Sequence, residues 1–157
     1  MSETSKSKSA LAEFIDNGRE FLALAKSIST SDLHKNPIAG EWSAAYVLHH
    51  MCDGELHFAT RYLNNLAEDT PKIFPFNEDI YPDRLNYAKR DALASLAAIE
   101  GIQLATANIL SVIPENDWSR ASMHEERGLL TLLQIVETAS GHSKSHAGQL
   151  QGIIAAL

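Results

Sequence analysis

With 157 residues, 45% of them hydrophobic and 21% charged, the chain has the length and balance of one globular domain with its own core. Its formal charge of −7 comes without any run of Lys and Arg, which argues against a nucleic-acid partner, because phosphate binding calls for a basic face. The single cysteine, Cys52, excludes an internal disulfide and suits a reducing, cytoplasmic setting, and no run of about 18 apolar residues suggests a membrane span.

Residues 1–9 are Ser- and Lys-rich without an apolar stretch, so they read as a frayed tail rather than a signal peptide. A first helix is predicted from Ala10 to Ile28, with Leu11, Phe14, Ile15, Phe21, Leu22 and Ala25 on one side. Ser29 to Glu41, with Pro37 and Gly40, is a loop. A second helix follows Trp42, with Ser43 as its N-cap and a stripe through Val47, Leu48, Met51, Gly54, Glu55, Phe58, Tyr62 and Leu66. Pro71 to Pro82 is a loop rich in aromatics, which favours packing against the body and makes it a candidate wall of a site.

A third helix is predicted from Tyr87 to Val112, stopping before Pro114, and a polar loop runs from Glu115 to Gly128. The fourth helix opens on a Thr131–Gln134 capping box, then repeats Leu132, Ile135, Val136, Ala139, His146, Leu150, Ile153 and Ile154 to the C-terminus. No alternating strand pattern of useful length and no internal repeat appears. The pattern therefore predicts an all-α fold, a four-helix bundle in a single domain spanning residues 10–157.

Seven histidines are unevenly placed: His49, His50 and His57 on the second helix, His142 and His146 on the fourth, His34 and His124 in predicted loops. His142 and His146 stand i, i+4, so their rings can reach a common ion. At 100° per residue, His146 lies about 40° and His142 about 80° from the middle of the apolar stripe. Their neighbours Ala139, Gly141, Ser143, Ser145, Ala147 and Gly148 are small and leave room for a cavity. On the second helix His50 flanks the stripe while His49 lies nearly opposite. Asp53, at i+3, could orient the His50 ring, and His57 lies on the His50 face two turns on. One histidine on a mixed face is ordinarily only a hydrogen-bonded or solvated residue, and a lone HxxxH is a weak signal. Two helices each supplying an inward histidine make a divalent-metal site a real alternative.

These residues carry a family resemblance. Trp42–Ser43, followed by Leu48, His49–His50 and Asp53, resembles a signature of the DinB-like proteins. Glu68–Asp69–Thr70–Pro71 and Pro75–Phe76–Asn77–Glu78 are closer still to the YfiT branch. His142 to His146, followed by Ala147–Gly148–Gln149–Leu150, resembles the C-terminal HxxxH signature. The similarity covers Ile38 to the C-terminus. It departs at Gly141, where an aromatic is usual, and at Ser145, where the branch tends to double the histidine. The resemblance implies an up-down-down-up bundle with a long crossover between the second and third helices. It implies three metal ligands, His50, His142 and His146, a nickel- or zinc-type ion with open positions, and a homodimer. Members carry the label of metal-dependent hydrolases, and some relatives are transferases that use a low-molecular-weight thiol.

On this reading a small-molecule substrate meets water or a thiol activated at the metal, with Asp53 behind His50 and with Glu55, His57, Glu137 or the Pro71–Pro82 loop in contact with it. Cys52 offers a rival nucleophile, though nothing near it in sequence would depress its pKa. Two readings without turnover stand beside the enzyme: a metal-binding stress or sensor protein, and a metal-free bundle with structural histidines.

Overall fold

The structure, a computed structural model, describes residues 3–157; Met1 and Ser2 lie outside it. Four long helices carry the fold: α1 (Glu3–Ser27), α2 (Ala44–Ala67), α4 (Ala92–Val112) and α5 (Leu132–Ala156); a single turn, α3 (Tyr81–Arg84), lies in the crossover. The tail expected over residues 1–9 is helical from Glu3. The reason is that Ser7, Ala10, Phe14, Phe21 and Ala25 form one buried stripe at helical spacing, and Ser7 Oγ donates to Glu115 Oε1 at 2.7 Å.

Ser43 caps α2 as its position predicted, accepting from the Tyr46 amide. Thr131 and Gln134 form the expected capping box on α5. The third long helix starts five residues later than expected. Asn86 is left-handed (φ 52°), Tyr87–Lys89 is a 3₁₀ turn, and Asp91 caps the helix by accepting from the Leu93 amide.

Two core clusters fix the helix directions. Phe21 and Ala25 of α1, Leu48 and Met51 of α2, Ile99 of α4, and Leu150 and Ile153 of α5 share one. Phe14, Tyr62, Leu110 and Ile135 share the other. Each helix therefore runs from one cluster to the other, α1 parallel to α5 and α2 parallel to α4, which is up-down-down-up. The parallel α2 and α4 need the long connection that carries α3.

A three-stranded sheet sits at one end, where the sequence suggested no strands. β1 (Lys72–Ile73) pairs parallel with β2 (Ala121–His124), which pairs antiparallel with β3 (Gly128–Thr131). Strands of two to four residues are too short to show an alternation that can be read from sequence. α4 is apolar and long enough to cross a membrane by length and composition (mean hydropathy 1.4), yet it packs on α1 and α2 with one-third of that stretch buried.

Candidate metal centre

α2 and α5 lie antiparallel and side by side, and the i, i+4 pair on α5 faces His50 on α2. His50 Nε2 and His142 Nε2 are 2.9 Å apart, and His142 Nε2 and His146 Nε2 are 3.1 Å apart. All three nitrogens lie within 4.8 Å of one another, the one His/Cys/Asp/Glu cluster among the described residues placed to hold a metal ion. The approach depends on Gly54, one turn beyond His50. A Cβ there would stand 3.0 Å from His142 Cε1, closer than carbon atoms normally pack.

The surroundings prepare the nitrogens as ligands. His146 Nδ1 donates to Gln149 Oε1 at 2.8 Å, which places the proton on Nδ1 and leaves the Nε2 lone pair facing the centre. Trp42 packs against the His50 ring at 5.3 Å between centroids, and Phe58 against His142 at 6.0 Å. Burial, reinforced by the charge of His146, holds His50 down at about 4. Burial, with its two histidine neighbours, holds His142 at about 3, and burial also lowers His146. The imidazoles are neutral at physiological pH. Three such groups aimed at one point cannot all be satisfied by bonding one another, whereas a divalent cation would take all three lone pairs. Imidazole donors suit nickel, zinc and their neighbours. The residues therefore fit a divalent ion.

Among the described residues no hydrogen bond joins Asp53 to His50. Asp53 Oδ2 accepts from Tyr87 Oη at 2.6 Å and from Arg90 Nη1 at 2.8 Å, so it ties the crossover to α2 instead. His49, expected opposite the stripe, is fully buried with Nδ1 2.8 Å from Ser95 Oγ. α2 packs on both α4 and α5 and so buries two faces, which a single-stripe projection misses. His57 lies outside the cluster. It stacks on Phe76 at 3.9 Å and 4°, and its Nε2 is 2.8 Å from Tyr81 Oη, so it pins the aromatic loop. His34 is exposed, and His124 is buried in β2 rather than in a loop. Glu137 points to solvent, and so do Gly141, Ser145 and Gly148, which therefore open no cavity inside the bundle. Burial raises the Cys52 thiol, against the rival nucleophile.

Two contributors had weak sequence signals. Gln149, three residues after His146, sits in the C-terminal signature without an evident task. Glu78 comes from the aromatic loop, with Oε2 3.7 Å from His50 Nε2. Its loop is turned inward by Asn77, which accepts from the Asp79 amide, and by the His57–Phe76 stack.

Fold and cluster together define a class: a four-helix bundle carrying three convergent histidines on two antiparallel helices. The chain belongs to the DinB superfamily, whose model matches residues 13–150. A Geobacillus thermodenitrificans relative is 27% identical over 115 residues, 73% of this chain and 65% of its own length. Bacillus subtilis YfiT is 23% identical over 112 residues, 71% of this chain and 63% of its own length. The chain thus spans just under two-thirds of both, and each is named "Putative metal-dependent hydrolase". A solved structure of Bacillus subtilis YfiT, described as having an unusual four-helix bundle topology, matches with TM-score 0.79 at 19% identity over 99% of this chain and 90% of that one. YfiT is thus similar to this chain in both sequence and fold.

Gly54→Ala should push the His142 ring off its position and weaken metal binding by about tenfold or more, while the helix itself tolerates alanine well. Competition titration with a chromogenic chelator measures this, and unchanged affinity would contradict the packing argument.

Glu55, offered from sequence as a substrate contact, is instead 1% exposed in the core. Its Oε1 accepts from Gln103 Nε2 at 2.9 Å, while Oε2 and Ser143 Oγ make no well-formed hydrogen bond. Burial raises its carboxyl to about 7 from 4.5. The folded state therefore binds the proton more tightly than the unfolded chain. The associated stability is present below about pH 4.5 and lost as pH rises toward 7. Glu55→Gln keeps the Gln103 bond and removes the titration. It should gain up to about 3 kcal/mol over the native protein by about pH 8, with the two converging near pH 4 in urea denaturation.

Proposed function

We propose that the chain is a metal-dependent enzyme acting on a small molecule, as a hydrolase or as a transferase using a low-molecular-weight thiol, with one nickel- or zinc-type ion on His50, His142 and His146. The convergence of three neutral Nε2 atoms carries this reading. The names of the YfiT-type relatives support the hydrolase form. A divalent ion on three neutral ligands supplies Lewis acidity strong enough to make water or a thiol nucleophilic near neutral pH.

The chain's own residues do the rest. Gln149 holds the His146 tautomer, and Trp42 and Phe58 shield the flanks of His50 and His142 from water. Glu78, 3.7 Å from His50 Nε2 and half exposed, presents Oε2 as the nearest carboxylate able to take the nucleophile's proton. Asp53, through Tyr87 and Arg90, and His57, through Phe76 and Tyr81, hold the crossover against the site.

Elemental analysis of tag-free protein should find about one equivalent of divalent metal, lost on His50→Ala, His142→Ala or His146→Ala, with Tm falling on chelation. An absence of metal after incubation with nickel and zinc would sink the proposal.

We further propose a homodimer closed by the outer face of α4. Leu93, Leu104 and Val112 are 49%, 72% and 75% exposed there, and Glu100 is the helix's single charge. Light scattering should give twice the chain mass, and Leu104→Glu should give a monomer. A native monomer at all concentrations would reject the pairing.

A further inference from the structure

A cavity of about 270 Å³ opens between α2, the aromatic loop and the β2–β3 turn, and His142 forms part of its wall. Two arginines line it. Arg61, on α2, lies between two phenyl rings, its guanidinium carbon 5.3 Å from the Phe58 centroid and 5.6 Å from that of Phe76. Among the described residues its side chain donates one hydrogen bond, to a neutral acceptor, the Phe74 carbonyl, at 3.4 Å. Arg127 stands on the turn, which His124 fixes by accepting the amides of Glu126 and Arg127 on Nδ1.

Among the described residues no carboxylate lies within ion-pair distance of Arg61 or Arg127. Of the two acids lining the cavity, Glu78 is turned toward His50 and Glu126 is exposed at the turn. Burial lowers the Arg61 pKa, and the like charge of Arg127 adds a smaller push in the same direction. A half-buried guanidinium beside a second cation, with no carboxylate at ion-pair distance, is an expensive arrangement for a protein to keep without an anion to fill it. The guanidinium fork matches carboxylate and phosphate oxygens, and the two flanking rings hold that fork in place.

We propose that this cavity is an anion subsite, in which Arg61 and Arg127 bind a carboxylate or phosphate group of the small-molecule substrate. Because His142 is a wall of the cavity and a member of the histidine cluster, an anion held on Arg61 places the rest of its molecule at the cluster. Assigning that anion to the substrate rests on the metal-enzyme reading; the anion site itself does not.

The test is calorimetric titration of inorganic phosphate and of succinate into metal-loaded and metal-free protein, at ionic strength held constant with chloride. At least one probe should bind saturably. Arg61→Met, which keeps an apolar stem between the rings, should weaken binding about tenfold or more, and Arg127→Ala severalfold. Metal content should be the same in the native protein and both variants. Tighter phosphate binding assigns a phosphoryl substrate, and tighter succinate binding a carboxylate one. If Arg61→Met does not fold by circular dichroism, Arg127→Ala carries the comparison. Binding of neither probe, or native affinity in the variants, overturns the anion site and leaves the metal reading standing. Arginine-dependent binding in a protein that takes up no metal supports the site and sinks the metal reading instead.

Discussion

Everything at the centre depends on how closely α2 and α5 approach one another at Gly54. One hydrogen in place of a side chain lets the His142 ring lie against the α2 backbone. That contact sets the distance from His142 Nε2 to His50 Nε2, and the i, i+4 geometry of α5 then carries His146 to the same point. Antiparallel packing of two helices presents the His50 face to the His142–His146 face. The up-down-down-up connection, which makes α2 and α5 neighbours, is therefore what assembles the cluster.

The irregular segments are held by side chains that a metal-centred reading would claim for the metal. Asp53 binds Tyr87 and Arg90, and His57 stacks on Phe76 and meets Tyr81. At the far end of α2, Asn65 donates to the Arg120 carbonyl and to Ser122 Oγ, and Arg120 returns bonds to the carbonyls of Asn65 and Glu68. These links anchor the crossover and the hairpin to α2. They bring Glu78 to the cluster and Arg127 to the cavity, neither of which a helical projection places. A buried or half-buried polar group must find a partner, and here those partners lie in the loops.

The relation to YfiT is one of fold at low identity. The departures noted at Gly141 and Ser145 fall on the solvent side of α5, away from the face that carries His142 and His146. They leave the cluster as it is. The aromatic loop and the hairpin complete the wall of the cavity beside Phe58, Arg61 and His142.

The four long helices and the capping of α2 and α5 were legible in the sequence, and the family resemblance singled out His50, His142 and His146, which the structure brings together. Each rests on local spacing or on a motif, and local spacing survives folding. The helical start of α1 and the later start of α4 needed the structure, because Ser7 is ordered by Glu115 and the turn before α4 by Asn86. So did the burial of His49, which follows from α2 having two neighbours rather than one. That Asp53 ties down the crossover, that Glu55 is a core carboxyl, and that Arg61 and Arg127 share a cavity came from the packed chain. Those facts depend on contacts between residues far apart in the chain, and no periodicity records them.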